Sequence, residues 1–412
     1  MKALLLVLIV DNVIRRIIPV IASTPEFFRE FPSVSLDSDK LQTPCLLLDE
    51  GKLRANVKAM KTHLEHLDVV FRPHLKTAKS IDVARIAMTT PQGPAMVSTL
   101  REAEYFGRNG VLDLIYGVGI TPNKLPRVAA IRTEGIDLAI ILDSLEQADA
   151  IATYVSRFND PLPVFIEVDA DGHRSGVNPH DSSTLIAIGK HLLSNGAELR
   201  GVVLHAGESY ALSNPTDIVA AAEAERIAAV TAAQTLRTAG LPCPIVSVGS
   251  TPTARYAKDL SGVTEVRAGV FMFGDLYQAG VGTVAVNEIA LTVLSSVIGH
   301  QRSKGWILID AGWMAMSRDR GTAKQKIDQG YGIVCDLNGQ PYADLILVDA
   351  NQEHGVVALR KGSSASLPEL PVGARVRILP NHACATAAQY DSYHVLNSSN
   401  EIRTVWPRIN GW

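Results

Sequence analysis

The stretch DVVFRPHLKTAKS, residues 68–80, compresses a strand, a lysine and a helix start into a few positions. Val69, Val70 and Phe71 form a short β-prone run that Pro73 and the polar HLKT bring to an end. SIDVARIAM, residues 80–88, follows with apolar residues at helical spacing. Two readings of Lys76 then compete. One is a solvated lysine paired with a nearby Asp or Glu. The other is a partly desolvated amine at the mouth of a parallel sheet, where a lowered pKa makes it a Schiff-base former.

The same rhythm recurs along the chain. TPCLLLD (43–49) comes first, with Asp49 as N-cap of a helix over 51–67. Downstream lie AMVSTL (95–100), DLIYGV (113–118), LAIILD (138–143), VFIEVD (164–169), GVVLHA (201–206), IVSVGS (245–250) and EVRAGVF (265–271). Helix-compatible stretches such as 144–158, 183–194 and 215–240 separate them. Counting the run at 69–77, eight strands alternate with helices. This predicts an α/β fold with an N-terminal (β/α)8 TIM barrel over residues 42–288; an open doubly wound sheet is the alternative. After residue 289 the helices stop. LTVLSSVIGHQ, GWILIDAG, GIVCDL, LILVDANQEHGVVAL and ARVRILP, joined by turns such as LNGQ and PVGA, predict a C-terminal all-β domain over 289–412. TPCLLLD is a candidate extra strand of that domain.

The totals fit this division, since 412 residues exceed one small core. A hydrophobic share of 47% and a charged share of 20% describe a soluble globular protein. The net charge of −3 argues against a nucleic-acid surface or a basic membrane arm. Cys45, Cys243, Cys335 and Cys384 form no C-x-x-C pair, which suits a reduced cytoplasmic protein better than a disulfide framework. The opening MKALLLVLIV begins like an export signal. Asp11, Arg15 and Arg16 interrupt it, and eight apolar residues are too few to span a bilayer. Residues 1–41 are therefore read as an extension outside the fold, disordered in the expected case.

In a barrel of this kind chemistry collects at the carboxyl ends of the strands, here including Lys76, His205, Gly249–Thr251 and Arg267. Gly249, Ser250 and Thr251 offer backbone N–H groups and two hydroxyls ahead of a helix, as a phosphate cradle does; a plain Gly-Ser turn fits them equally. A lysine opposite such a cradle points to pyridoxal 5′-phosphate (PLP). Gly280, Gly282 and Ala285 match G-x-G-x-x-A, but no strand precedes them, so a dinucleotide site is a poor reading. His382 and Cys384 in LPNHACATAAQY would share one face of a strand. An imidazole and a thiolate suit Zn²⁺ and, less well, Mn²⁺ or Mg²⁺; an inert buried cysteine is the competing reading.

PHLKT, DGHRSGV, HAGESY, VGSTPT and VRAGVFMFGD, in this order, resemble the alanine-racemase-like (fold-type III) PLP enzymes. Within that class residues 42–412 resemble the D-serine dehydratase/D-threonine aldolase family. The resemblance implies a homodimer with sites near the subunit interface, acting on small D-3-hydroxy amino acids. It implies that Lys76 carries PLP, that Arg174 lies beside the pyridine ring, and that Tyr210 with Gly249 and Ser250 holds the cofactor. It makes His382 and Cys384 a divalent-metal pair; the His-x-Cys form goes with the dehydratases, which release a 2-oxo acid and ammonia. His-x-Asp goes with many aldolases, which yield a glycine-type product and an aldehyde. For that second reaction His205 is the candidate base, or else it simply packs beside the cofactor. In DAGWMAMSRDRGTAKQ (310–325), Arg318 and Arg320 are read either as partners of a substrate β-carboxylate or as surface ion pairs with Asp319 and its neighbours.

Overall fold

Short β-prone runs that alternate with helices can bury both faces of a sheet only if the strands run parallel. The computed structural model of the protein describes residues 33–412, which form one compact unit. The apolar run at the chain start, with its export-signal reading, lies outside the described residues. Strands β1 (Val34–Ser35) and β2 (Cys45–Asp49) lead into helix α1 (Glu50–His66), where Asp49 accepts the Lys52 N–H at 2.9 Å as the expected cap. The parallel strands are β3 (Val70–Pro73), β4 (Ala95–Val97), β5 (Asp113–Gly119), β6 (Asp137–Leu142), β7 (Pro163–Val168), β8 (Glu198–Leu204), β9 (Ile245–Val248) and β10 (Glu265–Ala268). Between them run α2 (Ile81–Ala87), α3 (Leu100–Arg108), α4 (Leu125–Thr133), α5 (Leu145–Phe158), α6 (Ser182–Ser194), α7 (Pro215–Thr238) and α8 (Thr251–Tyr256).

The strand order is β3-β10-β9-β8-β7-β6-β5-β4. Its two ends meet just beyond β3, where the Leu75 N–H donates to Met96 O at 2.8 Å and His74 bridges Met96 in parallel register. The sheet is thus a nearly closed barrel, and the open-sheet alternative is set aside. At the opposite end Arg72 ties three strands together. Its Nε lies 3.0 and 2.9 Å from the two Glu265 oxygens, and its Nη1 lies 2.6 Å from Asp113 Oδ1.

The second sheet contains β11 (Leu291–Gln301), β12 (Trp306–Ile309), β13 (Gly332–Cys335), β14 (Pro341–Ala350), β15 (Gly355–Leu359), β16 (Arg375–Pro380), β17 (Ser392–Leu396) and β18 (Glu401–Pro407). Strand β11 pairs with both β12 and β16, so six of these strands close on themselves. Strand β2 lies between β11 and β17, which makes TPCLLLD part of this sheet as read. Two readings need correction. Val34 and Ser35 pair with β18, so the tail of the supposed extension is ordered sheet edge. The C-terminal part is mainly but not wholly β. After α9 (Leu276–Val281), it holds the short helices α10 (Trp313–Met316) and α11 (Ala383–Ala387). Gly282, of the G-x-G-x-x-A pattern, ends α9 in a left-handed conformation at φ 94°. The pattern is a helix stop, not a strand-to-helix turn.

Strand β2 alternates its side chains between two cores, as the period of a strand requires. Leu46 and Leu48 join the large core shared with the barrel, while Cys45 and Leu47 pack with Leu294 and Leu396. Among the described residues no helix is long and apolar enough to cross a membrane. Leu48 is fully buried, so Leu48→Ala is expected to lower unfolding free energy in urea by about 2–5 kcal/mol. A loss below about 1 kcal/mol would contradict this packing.

Candidate active site

The carboxyl ends of the barrel strands open into a cavity of about 550 Å³, a volume suited to a cofactor with a small substrate. Ten of the residues singled out from the sequence line it: Lys76, Arg174, His205, Tyr210, Gly249, Ser250, Thr251, Arg267, His382 and Cys384. Arg318 does not.

Lys76 follows β3 and its exposed surface opens into this cavity. Among the described residues no carboxylate lies within ion-pairing distance of it. The rim pairing weighed for Lys76 belongs instead to Lys79, whose Nζ lies 3.1 Å from Glu102. Enclosure by protein is the main cause that lowers the Lys76 pKa; Arg174 and Arg267 add to it, and Cys384 and Glu102 oppose it. An amine depressed in this way keeps part of its population neutral and nucleophilic.

The loop after β9 is tightly built. Gly249 sits at φ 139°, and a Cβ there would lie 2.1 Å from the Arg267 carbonyl oxygen, so only glycine fits. The buried Glu225 reaches in from α7 and accepts the N–H groups of Gly249 at 2.9 Å and Ala206 at 3.1 Å. Ser250 caps α8, donating its N–H to Thr253 Oγ1 at 3.0 Å, and the Thr251 N–H points to the Tyr210 hydroxyl at 3.3 Å. The amides expected to cradle a phosphate are therefore already engaged. Gly269 and Val270, which line the same cavity beyond β10, are buried and their N–H groups have no acceptor among the described residues. Two orphaned amides beside two hydroxyls fit a phosphate, since buried donors left unpaired are costly. The sequence reading missed them, although they lie within VRAGVFMFGD.

His205 donates from Nδ1 to the Gly249 carbonyl at 2.9 Å. Burial pushes its pKa down to about 3, with the positive charges of Lys76, Arg174 and Arg267 adding to the effect.

The His-x-Cys pair requires a correction. Strand β16 stops at Pro380, His382 is the N-cap of α11, and Cys384 lies in the first helical turn. The first turn of a helix, not strand alternation, brings the two groups to one cavity. The Asp319 carboxylate lies 2.6 Å from His382 Nδ1, the Thr77 hydroxyl 3.2 Å from Cys384 Sγ, and the Ala383 N–H donates to Asp275 Oδ2 at 2.8 Å. Burial disfavours the His382 cation, but hydrogen bonds to Asp319 and Cys384 outweigh it and push the pKa up to about 11. Burial likewise works against the Cys384 thiolate, and the bond from His382 overcomes it, so this thiol lies below its ordinary value. The other cysteines behave as core. All four are free, and burial pushes Cys45 and Cys335 to about 12 and Cys243 to about 11. An acidified thiol touching an imidazole fits a borderline-soft divalent ion. Among the described residues no group of three or more His, Cys, Asp or Glu side chains is placed to hold one, so His382 and Cys384 would bind an ion as a pair with positions left open.

Arg318 is exposed, with its guanidinium 4.2 Å from the centre of the Trp313 ring, and Arg320 pairs with Asp328 at 2.7 Å. Neither arginine lines the cavity; the intervening Asp319 does.

A nearly closed parallel barrel with a lysine at its mouth, sharing its cavity with His382 and Cys384 of the strand-rich second part, fits the class that the sequence resembles. Comparison with known proteins agrees. Residues 48–277 match the family described as "Alanine racemase, N-terminal domain" and residues 290–396 the "Putative serine dehydratase domain". The D-threo-3-hydroxyaspartate dehydratase of Delftia sp. (strain HT23) is 48% identical over 90% of this chain and 98% of its own. The D-serine dehydratase of Dictyostelium discoideum is 29% identical over 89% of this chain and 96% of its own. Solved structures of the Delftia sp. HT23 enzyme and of a D-threo-3-hydroxyaspartate dehydratase variant in the metal-free form each give a TM-score of 0.88 at 46% identity. Each covers 92% of this chain and 100% of the other. The chain belongs to the alanine-racemase-like family, in its D-serine dehydratase/D-threonine aldolase branch.

The His205 geometry carries a pH prediction. The unfolded chain protonates a histidine near 6.5, whereas the folded protein holds His205 neutral down to about 3. Stability from this group is therefore whole above 6.5 and is lost as pH falls from there toward 3. His205→Gln is expected to lose less stability than the parent over that interval in denaturant titrations. Parallel losses would contradict the assignment.

Proposed function

We propose that the protein is a PLP- and divalent-metal-dependent dehydratase (ammonia-lyase) of D-3-hydroxy amino acids. Its substrates are D-threo-3-hydroxyaspartate, D-serine and D-threonine, converted to 2-oxo acids and ammonia. One observation carries this reading: the Lys76 amine and the His382–Cys384 pair line the same cavity. The 48% identity to a dehydratase supports it. When bound, PLP supplies an electron sink for the substrate's Cα, and a divalent ion supplies a Lewis acid for the β-hydroxyl; zinc best suits the His and Cys donors.

Lys76 is the attachment point of the cofactor. That same Nζ would accept the Cα proton, since a lowered pKa leaves more of the amine neutral. The Gly269 and Val270 amides hold the phosphate together with the Ser250 and Thr251 hydroxyls, and Tyr210 closes over that side. Arg174 lies beside the pyridine ring. His382 and Cys384 hold the ion and leave room for the leaving hydroxyl. His205 packs against the cofactor. Its Nδ1–H is committed to Gly249, which leaves Nε2 as the nitrogen open to a proton, but burial strongly disfavours the resulting cation and so weakens His205 as a base for retro-aldol cleavage. Elimination is therefore favoured over the aldolase reaction. Residues 42–288 serve as the PLP-binding barrel and 289–412 as the metal-bearing β domain, and the working unit is a homodimer.

Product analysis tests the reaction. With D-serine, D-threonine and both D-3-hydroxyaspartate diastereomers, 2-oxo acid and ammonia are expected; glycine and aldehyde would establish the aldolase instead. Lys76→Ala is expected to abolish the cofactor's visible absorption band and to cut turnover by about 10²–10⁴-fold. Chelator treatment is expected to stop turnover while that band persists. Full activity after exhaustive chelation would remove the metal from the account.

A further inference from the structure

We propose that Asp319 is a positioning residue that fixes which ring nitrogen of His382 meets a divalent ion. The inference rests on the metal reading above and extends it to a residue outside the His-x-Cys pair.

Asp319 Oδ2 lies 2.6 Å from His382 Nδ1, and Asp319 Oδ1 accepts the Gly321 N–H at 2.9 Å. Both carboxylate oxygens are thus committed, one to the imidazole and one to the backbone. With Nδ1 engaged, the nitrogen left to face an ion is Nε2, and the ring cannot rotate to exchange the two without breaking a short charge-assisted bond.

The surrounding backbone is shaped for this purpose. Ser317 adopts φ 73°, a left-handed conformation that residues with a Cβ rarely take. Its Oγ accepts the Asp319 N–H at 3.2 Å. Beyond this kink Arg318 stacks outward on Trp313 and Arg320 turns to Asp328, so neither adjacent arginine neutralises Asp319. Among the described residues His382 is its one ion-pair partner. Asn381, the residue before His382, is also bound to this loop, accepting the Thr322 hydroxyl at 2.5 Å and the Thr322 N–H at 3.2 Å. Ring and carboxylate are therefore held in one frame, and affinity for the ion gains because little ordering remains to be done on binding.

The test measures Zn²⁺ and Mn²⁺ affinity by chelator competition on the PLP-loaded protein. Asp319→Ala is expected to bind each ion about 10–100-fold more weakly than the parent, with the cofactor's visible band unchanged. Asp319→Asn, whose amide oxygen still accepts from Nδ1–H, is expected to recover part of that loss; it also decides the matter should the alanine variant fail to fold. In the His382→Ala background, adding Asp319→Ala is expected to change affinity no further, whereas a general structural defect would weaken it again. Parent-like affinity in Asp319→Ala, or in Asp319→Asn where that variant decides, would overturn this inference and leave the metal reading intact. A second loss in the His382→Ala background would overturn it too. A parent protein that binds neither ion would overturn both.

Discussion

An amine enclosed by protein, with no carboxylate within ion-pairing distance among the described residues, is disfavoured as a cation, and Lys76 is held in that condition where the barrel mouth opens into the cavity. The strand behind it is pinned by Arg72 to Glu265 and Asp113, so the amine is fixed in place by ion pairs at the far end of the barrel. Next to it, Lys79 takes the available acid, Glu102. The turn thus gives two lysines three residues apart different surroundings, one paired with Glu102 and one opening into the cavity. Everything else at the site depends on keeping that amine enclosed and unpaired.

Thr77, the residue after Lys76, joins the barrel mouth to the turn of His382 and Cys384. It is fully buried, and its hydroxyl touches the Cys384 sulfur at 3.2 Å. Asp275, at the start of α9, holds the Ala383 N–H, and Asp319 holds His382. The turn bearing His382 and Cys384 is therefore fastened to the barrel's loop at Thr77, to Asp275 and to the loop at Asp319. β2 strengthens the same junction, because it belongs to the second sheet while Leu46 and Leu48 pack into the core shared with the barrel.

Much of this was legible in the sequence, for identifiable reasons. The eight barrel strands announce themselves because each is a short apolar run ended by small or polar residues, and parallel strands buried on both faces need such runs. Lys76, Gly249 and the His382–Cys384 pair stand out because few residue types can perform their tasks. Other features give no such signal. An aspartate between two arginines reads as a surface ion pair until the Ser317 backbone shows which way it faces. The Gly269 and Val270 amides carry no side-chain signature at all, and Glu225 looks like one more acid on a long surface helix. Cys384 reads as a strand residue because ARVRILP is a strand; nothing in NHACATA marks where the strand yields to a helix. Strands β17 and β18 escaped because SYHVL and EIRTVWP mix polar residues with apolar ones at a sheet edge.

Borohydride treatment of the PLP-loaded protein, followed by peptide mapping, addresses the central claim most directly. Stoichiometric pyridoxyl adduct on the peptide carrying Lys76, with none on the peptide carrying Lys79, is the predicted result. Adduct on another lysine, or none anywhere while cofactor remains bound, would contradict the role assigned to the amine on which the site is built.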